Sequence, residues 1–278
     1  MIKKIKNKKA VFFWGFLLLV LMVIALFPGI FANHNPEKAN LAAKFLDNSR
    51  EYPLGTDHMG RCILCRLIYG ARTSLFVTGA VVLLTACTGT LMGMFSGYYG
   101  GRADAVLMRI VDVFLGFPSF LFTLAFVGMF GGGTRNLIIA LSVFGWMRYA
   151  RVVRSEILVL REKEFIQAEK GMGVNNLYII VRHVFPNVIA SILVIMTMEA
   201  GGIILSVSGL TFLGIGVQPP TPEWGYMLND AKVYLSTQPE LMFYPGVAIM
   251  VTIIIFNFFG DSLQDAFDVK SSRLVKES

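Results

Sequence analysis

The chain is short of charge, cysteine and histidine. Asp, Glu, Lys and Arg make up 15% of its 278 residues, whereas 55% are hydrophobic, and the mean hydropathy is +0.64. This balance excludes an ordinary soluble domain, in which about 25% of residues are charged. Three cysteines are too few for a disulfide-stapled scaffold.

An enzyme is also disfavoured. The three histidines fall on scattered segments, and no Gly-rich phosphate loop followed by Lys-Ser or Lys-Thr is present. A membrane enzyme would need polar catalytic groups clustered at one membrane depth, and the sequence shows none. The net charge of +7 could suggest nucleic acid, but the basic residues lie between apolar runs. Basic loops at a membrane surface explain that placement more simply.

The apolar runs are long enough to cross a bilayer, whose core needs about 20 helical residues. Because backbone groups in hydrocarbon must be paired internally, such runs are helices. The sequence therefore predicts an all-α integral membrane protein with six transmembrane helices. The fourth is the weakest, since Arg148, Arg151 and Arg154 interrupt its end. The runs cover residues 10–32, 74–98, 106–130, 135–150, 188–217 and 243–260.

The first run follows five lysines, as in a signal peptide, but it is longer than a cleaved signal and no small-residue cleavage site follows. We expect an uncleaved anchor with a cytoplasmic amino end. Of the 25 Lys and Arg residues, 17 then fall on cytoplasmic segments, which agrees with the positive-inside rule. The predicted parts are a tail and first helix (1–32), an external segment (33–73), a five-helix core (74–268) and a cytoplasmic tail (269–278).

A polar hairpin over residues 156–187 separates the fourth and fifth runs. The stretch from Ser155 to Met172 has helix-forming residues and no proline, Gly173 suits the position after a helix end, and Asn175 or Asn176 can cap a second helix. Apolar residues recur at helical spacing before Pro186. This hairpin could lie on the membrane surface or contact a soluble partner. Its acidic residues would be repelled by anionic lipid.

The hairpin resembles the coupling loop of bacterial ABC importer permeases, written Glu-Ala-Ala, three residues, Gly, then a longer gap to Pro. Gln167 replaces the glutamate and Glu169 an alanine of that signature. The resemblance implies that these residues contact an ATPase. The implied coupling residues are Gln167, Ala168, Glu169, Lys170, Gly173, Val174, Asn175 and Pro186.

Other stretches resemble the peptide and nickel branch of this family. They include Leu54–Arg61, Arg66–Arg72, Gly97–Asp104, and Phe212–Gly214 with Trp224–Gly225. The resemblance implies the type I permease fold and a complex with a homologous permease, two ATPases and an external solute-binding protein. ATP and Mg²⁺ would be bound by the ATPases, with no cofactor in this chain. A plain membrane anchor, whose loop could be randomised, is the remaining rival.

Two residues are candidates for the translocation pathway. Glu199 lies about a dozen residues into the fifth run, where an acid is costly and usually functional. It could attract a cation or only fix helix packing. Peptide-type permeases often have a glutamate at the position of Ser206, and the resemblance near Glu199 and Asn229–Ala231 leans towards nickel or a nickel chelate over peptides.

The remaining polar residues give weaker expectations. Cys62 and Cys65 are expected outside, and with His58 they could bind a soft metal, form a bridge or be incidental. Arg109 and Asp112 lie one helical turn apart and are expected to form an ion pair. Pro118 is expected to kink the third helix.

Overall fold

The computed structural model describes residues 2–274, with side chains placed for residues 9–267. Most side chains of the lysine-rich amino end and of the predicted tail 269–278 therefore lie outside the described residues. Within the described range the secondary structure is helical apart from one isolated β-bridge, between Thr56 and Cys62. The prediction of an all-α protein is confirmed.

The helices follow one another with short connections, except for two longer irregular segments, residues 32–62 and 213–223. In chain order they are α1 (Ile2–Leu26), α2 (Pro28–Phe31), α3 (Ile63–Tyr99), α4 (Gly101–Leu115), α5 (Ser119–Phe130), α6 (Thr134–Leu160), α7 (Glu164–Gly171), α8 (Asn176–Ile179), α9 (Phe185–Phe212), α10 (Trp224–Ala231) and α11 (Glu240–Leu274). Short 3₁₀ turns occupy Leu41–Ala43 and Lys232–Tyr234, and a π turn occupies Ile180–Val184.

Five described helical segments are long and apolar enough to cross a membrane: Lys9–Leu26, Ile63–Tyr99, Thr134–Leu160, Asn176–Phe212 and Glu240–Phe267. The number reaches the predicted six when α4 and α5 are taken as one broken span. Several of these helices extend well beyond the apolar runs. In α6 the extra turns carry Arg151 and Arg154.

The third predicted helix is broken rather than kinked. α4 and α5 meet at 87° across Gly116–Pro118. Pro118 has no N–H to donate and restricts the residue before it, so it stands just before α5. The expected change of helix direction at Pro118 is therefore confirmed, and it is a break between two helices rather than a kink within one.

The fourth helix is longer than its apolar run because its three arginines are paired with acids on other helices. Arg148 lies 3.1 Å from Glu199, Arg151 lies 2.5 Å from Asp112, and Arg154 contacts Asp104 through both Nε and Nη2. The expected pair of Arg109 with Asp112 was therefore wrong. Asp112 faces α6 instead, which a spacing rule within one helix could not show.

Among the described helices, α3 and α6 share the most extensive contact. Gly89, Gly93 and Gly97 repeat at intervals of four and form a stripe along α3. A Cβ atom built on Gly93 would lie 2.6 Å from the carbonyl oxygen of Ala150 and 2.9 Å from Cβ of Val153. The absence of side chains on this stripe therefore lets the two backbones approach closely, as small residues do between membrane helices.

The irregular segment 32–62 packs against residues 213–239, which include α10, at one end of the bundle. Arg61 donates to Asp57 Oδ2 through Nε and to Asp230 Oδ2 through Nη2, both at 2.7 Å. The indole of Trp224 donates to the carbonyl oxygen of Leu67 at 3.0 Å. We call residues 32–62 and 213–239 together the polar cap. It fixes the start of α3 to α10.

The glycine stripe gives the first testable prediction. Gly93→Leu should lower the thermal unfolding midpoint of the detergent-purified protein by several degrees, since its side chain would overlap the backbone of α6. Gly79→Leu is the matched control on the same helix, because nothing lies within 4 Å of a Cβ at Gly79. Equal melting of the two variants would show that α3 and α6 do not need this close contact.

Candidate functional site

The first half of the polar hairpin consists of two separate helices joined by a turn, rather than the single helix expected from Ser155 to Met172. α6 ends at Leu160, a turn occupies residues 161–163, and α7 begins at Glu164. The side-chain amide of Gln167 donates to the carbonyl oxygen of Arg161 at 2.7 Å, which stabilises this turn. A carboxylate at position 167 could not donate that hydrogen bond. The expectation of one continuous helix was wrong for this reason.

The turn of the hairpin agrees with the sequence. Gly173 has φ +76°, a conformation that is open to glycine and strained for other residues. Asn175 is the N-cap of α8, and its side chain accepts from the backbone N–H of Leu177 at 2.8 Å. Pro186 lies in the first turn of α9, after the π turn. Because proline cannot donate and crowds the carbonyl four residues earlier, the wider turn forms just before it.

Side-chain contacts attach the hairpin to the bundle. The ammonium of Lys170 lies 4.5 Å from the centre of the Tyr98 ring, at the end of α3. The hydroxyl of Tyr98 donates to the side-chain oxygen of Asn176 at 2.8 Å. Glu169, which stands where the family signature has alanine, lies 2.8 Å from Nε2 of His183. The departure from the signature therefore ties α7 to the π turn.

One face of the hairpin leaves apolar side chains uncovered. Met172 is 73% exposed, Leu177 66% and Val181 60%, while Ile179 and Val184 are buried against the bundle. Of the apolar residues expected at helical spacing before Pro186, Leu177 and Val181 are exposed, Ile180 is partly buried and Val184 is buried. An exposed apolar group set among charges is typical of a protein contact surface.

A cavity of about 310 Å³ lies among α3, α5, α6 and α9, near the middle of the long helices. Both predicted pathway residues, Glu199 and Ser206, line it, together with Arg148. The structure therefore brings together two residues that the sequence suggested separately. It also adds Arg148, which the sequence analysis noted only as an interruption of an apolar run.

Glu199 is not a lone acid. Its Oε1 atom lies 3.1 Å from Nη1 of Arg148, and its side chain is 13% exposed against 69% for Arg148. Both side chains line the cavity, and the guanidinium is the more exposed of the two. The pairing of Arg148 with Glu199 could not be inferred from sequence spacing, since the two residues are 51 positions apart.

The polar cap holds the one group of described side chains with metal-ligand spacing, Asp57, His58 and Asp230. Two guanidiniums already occupy this group, since Arg61 bonds both carboxylates and Arg66 lies 3.5 Å from Asp57. A cation would have to displace them. The chemistry of these side chains fits an internal ion-pair network that joins residues 57–66 to α10.

The matching family model is that of the binding-protein-dependent transport system inner membrane components, over residues 89–273. The chain belongs to this family. It is a multi-pass permease of an ABC importer of the nickel and peptide type, located in a bacterial inner membrane. The matched region includes α6, the hairpin and the cavity-lining part of α9.

Curated relatives cover almost the whole permease. The nickel transport system permease protein NikC of Escherichia coli K12 is 40% identical over 90% of both chains. The dipeptide transport system permease protein DppC of Alkalihalophilus pseudofirmus is 37% identical over 96% of this chain and 88% of the relative. The glutathione transport system permease protein GsiD of Pectobacterium atrosepticum is 41% identical, covering 78% of this chain and 72% of the relative.

Sequence reasoning also missed Glu223, which is fully buried beside the permease's polar cap. Its Oε1 accepts from the Ser74 hydroxyl at 2.9 Å, and its Oε2 accepts from the backbone N–H of Tyr226 at 2.8 Å as the N-cap of α10. Burial raises the pKa of this carboxyl above its ordinary value. A signal was present, since Glu223 directly precedes the Trp224–Gly225 pair that carried part of the resemblance.

Cys62 and Cys65 are free and buried, and they do not form a bridge. Sγ of Cys62 accepts from the backbone N–H of Cys65 at 3.3 Å and so caps α3. Burial raises the pKa of the Cys62 thiol to about 12. The structure thus gives Cys62 a structural role and places neither cysteine with His58 in the group of metal-ligand spacing.

We predict that a membrane-impermeant maleimide leaves Cys62 and Cys65 unlabelled in the folded permease. Both thiols should react after denaturation, because the thiolate is then exposed and its pKa returns towards about 8.5. Peptide mass spectrometry of the two samples measures this. Rapid labelling of Cys62 under native conditions at neutral pH would contradict both the burial and the capping role.

Proposed function

We propose that this permease forms half of a translocation pathway, paired with a homologous permease, driven by two ATPase subunits and supplied by an external solute-binding protein. ATP and Mg²⁺ are bound by the ATPases, and this chain holds no cofactor of its own. Family membership supports the partners as a class. The observation that carries the mechanical role is the hairpin, whose apolar face is exposed while its base is fixed to α3.

The exposed face of the hairpin favours an ATPase contact over a position on the membrane surface. Met172, Leu177 and Val181 form the apolar part, and Glu162 and Glu164 are exposed at the start of the same segment. Anionic lipid would repel these acids, whereas a protein partner can pair with them. We infer that Gln167 to Lys170 and Gly173 to Asn175, with Pro186 at the base, form the ATPase-coupling element.

The orientation that suits this role has both termini and the hairpin in the cytoplasm and the polar cap outside. The Lys and Arg distribution supports it, as does the position of the cap at the opposite end of α3 from the hairpin, which contacts Tyr98. The cap is then the face available to a solute-binding protein.

Topology can be tested with introduced cysteines, since the native external pair is buried. Lys38→Cys, at an exposed position of the segment 32–62, should react with an impermeant maleimide on intact spheroplasts. Lys163→Cys, in the hairpin turn, should react only after permeabilisation. The parent protein serves as the control for background reaction at Cys87. The opposite pattern would reverse the proposed orientation.

The coupling role is tested at Gly173. Gly173→Val should reduce substrate uptake and binding-protein-stimulated ATP hydrolysis at least ten-fold, because valine is strained at φ +76° although space is open around it. Gly171→Val is the matched control two residues earlier, inside α7, where a Cβ also has open space. The complex is reconstituted in liposomes, and both rates are measured.

Co-purification of the ATPase with each variant locates the defect. Loss of ATPase from the Gly173→Val complex alone, with the permease still inserted, supports docking through the hairpin. Full activity of that variant would remove the coupling role and favour a plain membrane anchor, whose loop tolerates change.

For the substrate we propose either nickel, as the ion or a chelate, or small peptides. The resemblance around Glu199 and Asn229–Ala231 favours nickel, whereas the similar permeases are named for nickel, dipeptide and glutathione transport. Uptake of radioactive nickel and of a labelled dipeptide by the reconstituted complex decides between them.

A further inference from the structure

Arg148 stands at the centre of α6 and is exposed there. It lies 14 residues from Thr134 and 12 from Leu160, which places it roughly 20 Å from either helix end at 1.5 Å per residue. Arg148 also lies within the apolar run 135–150, near its end, where leaving a guanidinium to face lipid is costly because charge is expensive to bury in hydrocarbon. Arg148 must therefore face water or another protein group. The cavity supplies the aqueous side.

The pair with Glu199 holds Arg148 without covering it. The contact at 3.1 Å joins Nη1 to one carboxylate oxygen, while most of the arginine side chain remains exposed. A guanidinium carries five N–H donors in a planar fork that matches a carboxylate with two parallel hydrogen bonds. The described residues leave the other edge of this fork available to a ligand.

The different exposure of the two charges decides what the cavity attracts. A free divalent cation near Glu199 also meets the more exposed positive charge of Arg148, which already pairs with one oxygen of the carboxylate. An anionic group meets the guanidinium directly. Among the described residues that line the cavity, these two are the charged ones.

The size and the other walls of the cavity fit a small molecule better than an ion. Its volume of about 310 Å³ lies at the lower end of the range of ligand pockets, roughly 300–1,000 Å³. The rings of Phe120 and Phe144 form part of its wall. The Ser206 hydroxyl donates to the carbonyl oxygen of Gly202 at 2.9 Å, which leaves its oxygen lone pairs for a donor on the ligand.

We propose that Arg148, oriented by Glu199, binds a carboxylate group of the transported molecule in the middle of the pathway. The inference rests on the proposed importer function and narrows its substrate. The permease then carries molecules with a carboxylate, whether a peptide or a metal chelate, and disfavours a free divalent cation. Arg148 is the binding residue and Glu199 is a positioning residue.

The test uses the complete complex with its binding protein in liposomes. Three probes are supplied: labelled dialanine, ⁶³Ni²⁺ as its citrate complex, and free ⁶³Ni²⁺. We expect uptake of dialanine or of nickel citrate, and the probe that is carried identifies the source of the carboxylate. Arg148→Gln should lower its maximal uptake rate at least ten-fold. The concentration of loaded binding protein that gives half-maximal uptake should stay unchanged, since docking takes place at the outer face.

Three further variants separate substrate binding by the guanidinium from the effect of its charge and from effects on folding. Arg148→Lys keeps the positive charge but not the fork, so it should recover part of the uptake lost in Arg148→Gln. Arg151→Gln is the matched control, one turn further along α6, where the guanidinium pairs with Asp112 outside the cavity. Its ratio of carboxylate-probe to free-nickel uptake should equal that of the parent. Glu199→Gln should lower uptake less than Arg148→Gln.

Several results would overturn the proposal. Unchanged uptake in Arg148→Gln would exclude substrate binding, and loss of the partner permease from that complex would make Arg148 an assembly residue. Faster uptake of free ⁶³Ni²⁺ than of both other probes by the parent complex would restore Glu199 as a cation site. If the parent complex carries none of the three probes, the importer assignment for these substrates fails together with the inference.

Discussion

The close contact between α3 and α6 is the constraint on which the rest of the permease depends. The α6 backbone lies so close to the glycine stripe of α3 that there is no room for side chains on the stripe. A Cβ atom at Gly93, for example, would lie only 2.6 Å from the Ala150 oxygen. In a membrane, where lipid is as apolar as a leucine side chain, such close packing supplies much of the attraction between helices. It also fixes the register of the two helices.

Because that register is fixed, two distant sites belong to one rigid unit. Towards one end of the contact, Arg148 projects into the cavity between α6 and α9. At the other end, Tyr98 of α3 contacts Lys170 and Asn176 of the hairpin. Arg154 of α6 is joined to Asp104 of α4 near the same end, and the Ser96 hydroxyl also contacts Asp104. A shift of either helix would therefore disturb both sites.

The three ion pairs of α6 also explain why this helix can be long and charged. Each arginine pairs with an acid on another helix, which is α9 for Arg148 and α4 for the other two. Pairing limits the cost of placing charge among apolar helices. It also makes α6 the helix against which α4 and α9 are positioned.

Much of the fold and part of the site could be predicted from the sequence, because the signals were local. Apolar length identified the spans, and the turn at Gly173 and the cap at Asn175 depend on residues next to one another. The residues that were missed depend on contacts between distant segments. Arg148 of α6 pairs with Glu199 of α9, and Asp112 pairs with Arg151 of α6 rather than with the nearby Arg109. Gln167 stabilises a turn where helix propensity predicted a continuous helix.

The geometry of the hairpin assigns different mechanical properties to its two connections. On one side, α6 is a continuous helix from Thr134 to Leu160 with no proline, so a displacement at its end is carried along its length towards Arg148. On the other side, the π turn before Pro186 interrupts regular α-helical bonding before α9 begins. A force on the hairpin would therefore be carried directly along α6, whereas on the other side it would reach α9 through the irregular bonding of the π turn. Arg148 lies on α6 and Glu199 on α9, so unequal movement of the two helices would change the distance between the two paired side chains.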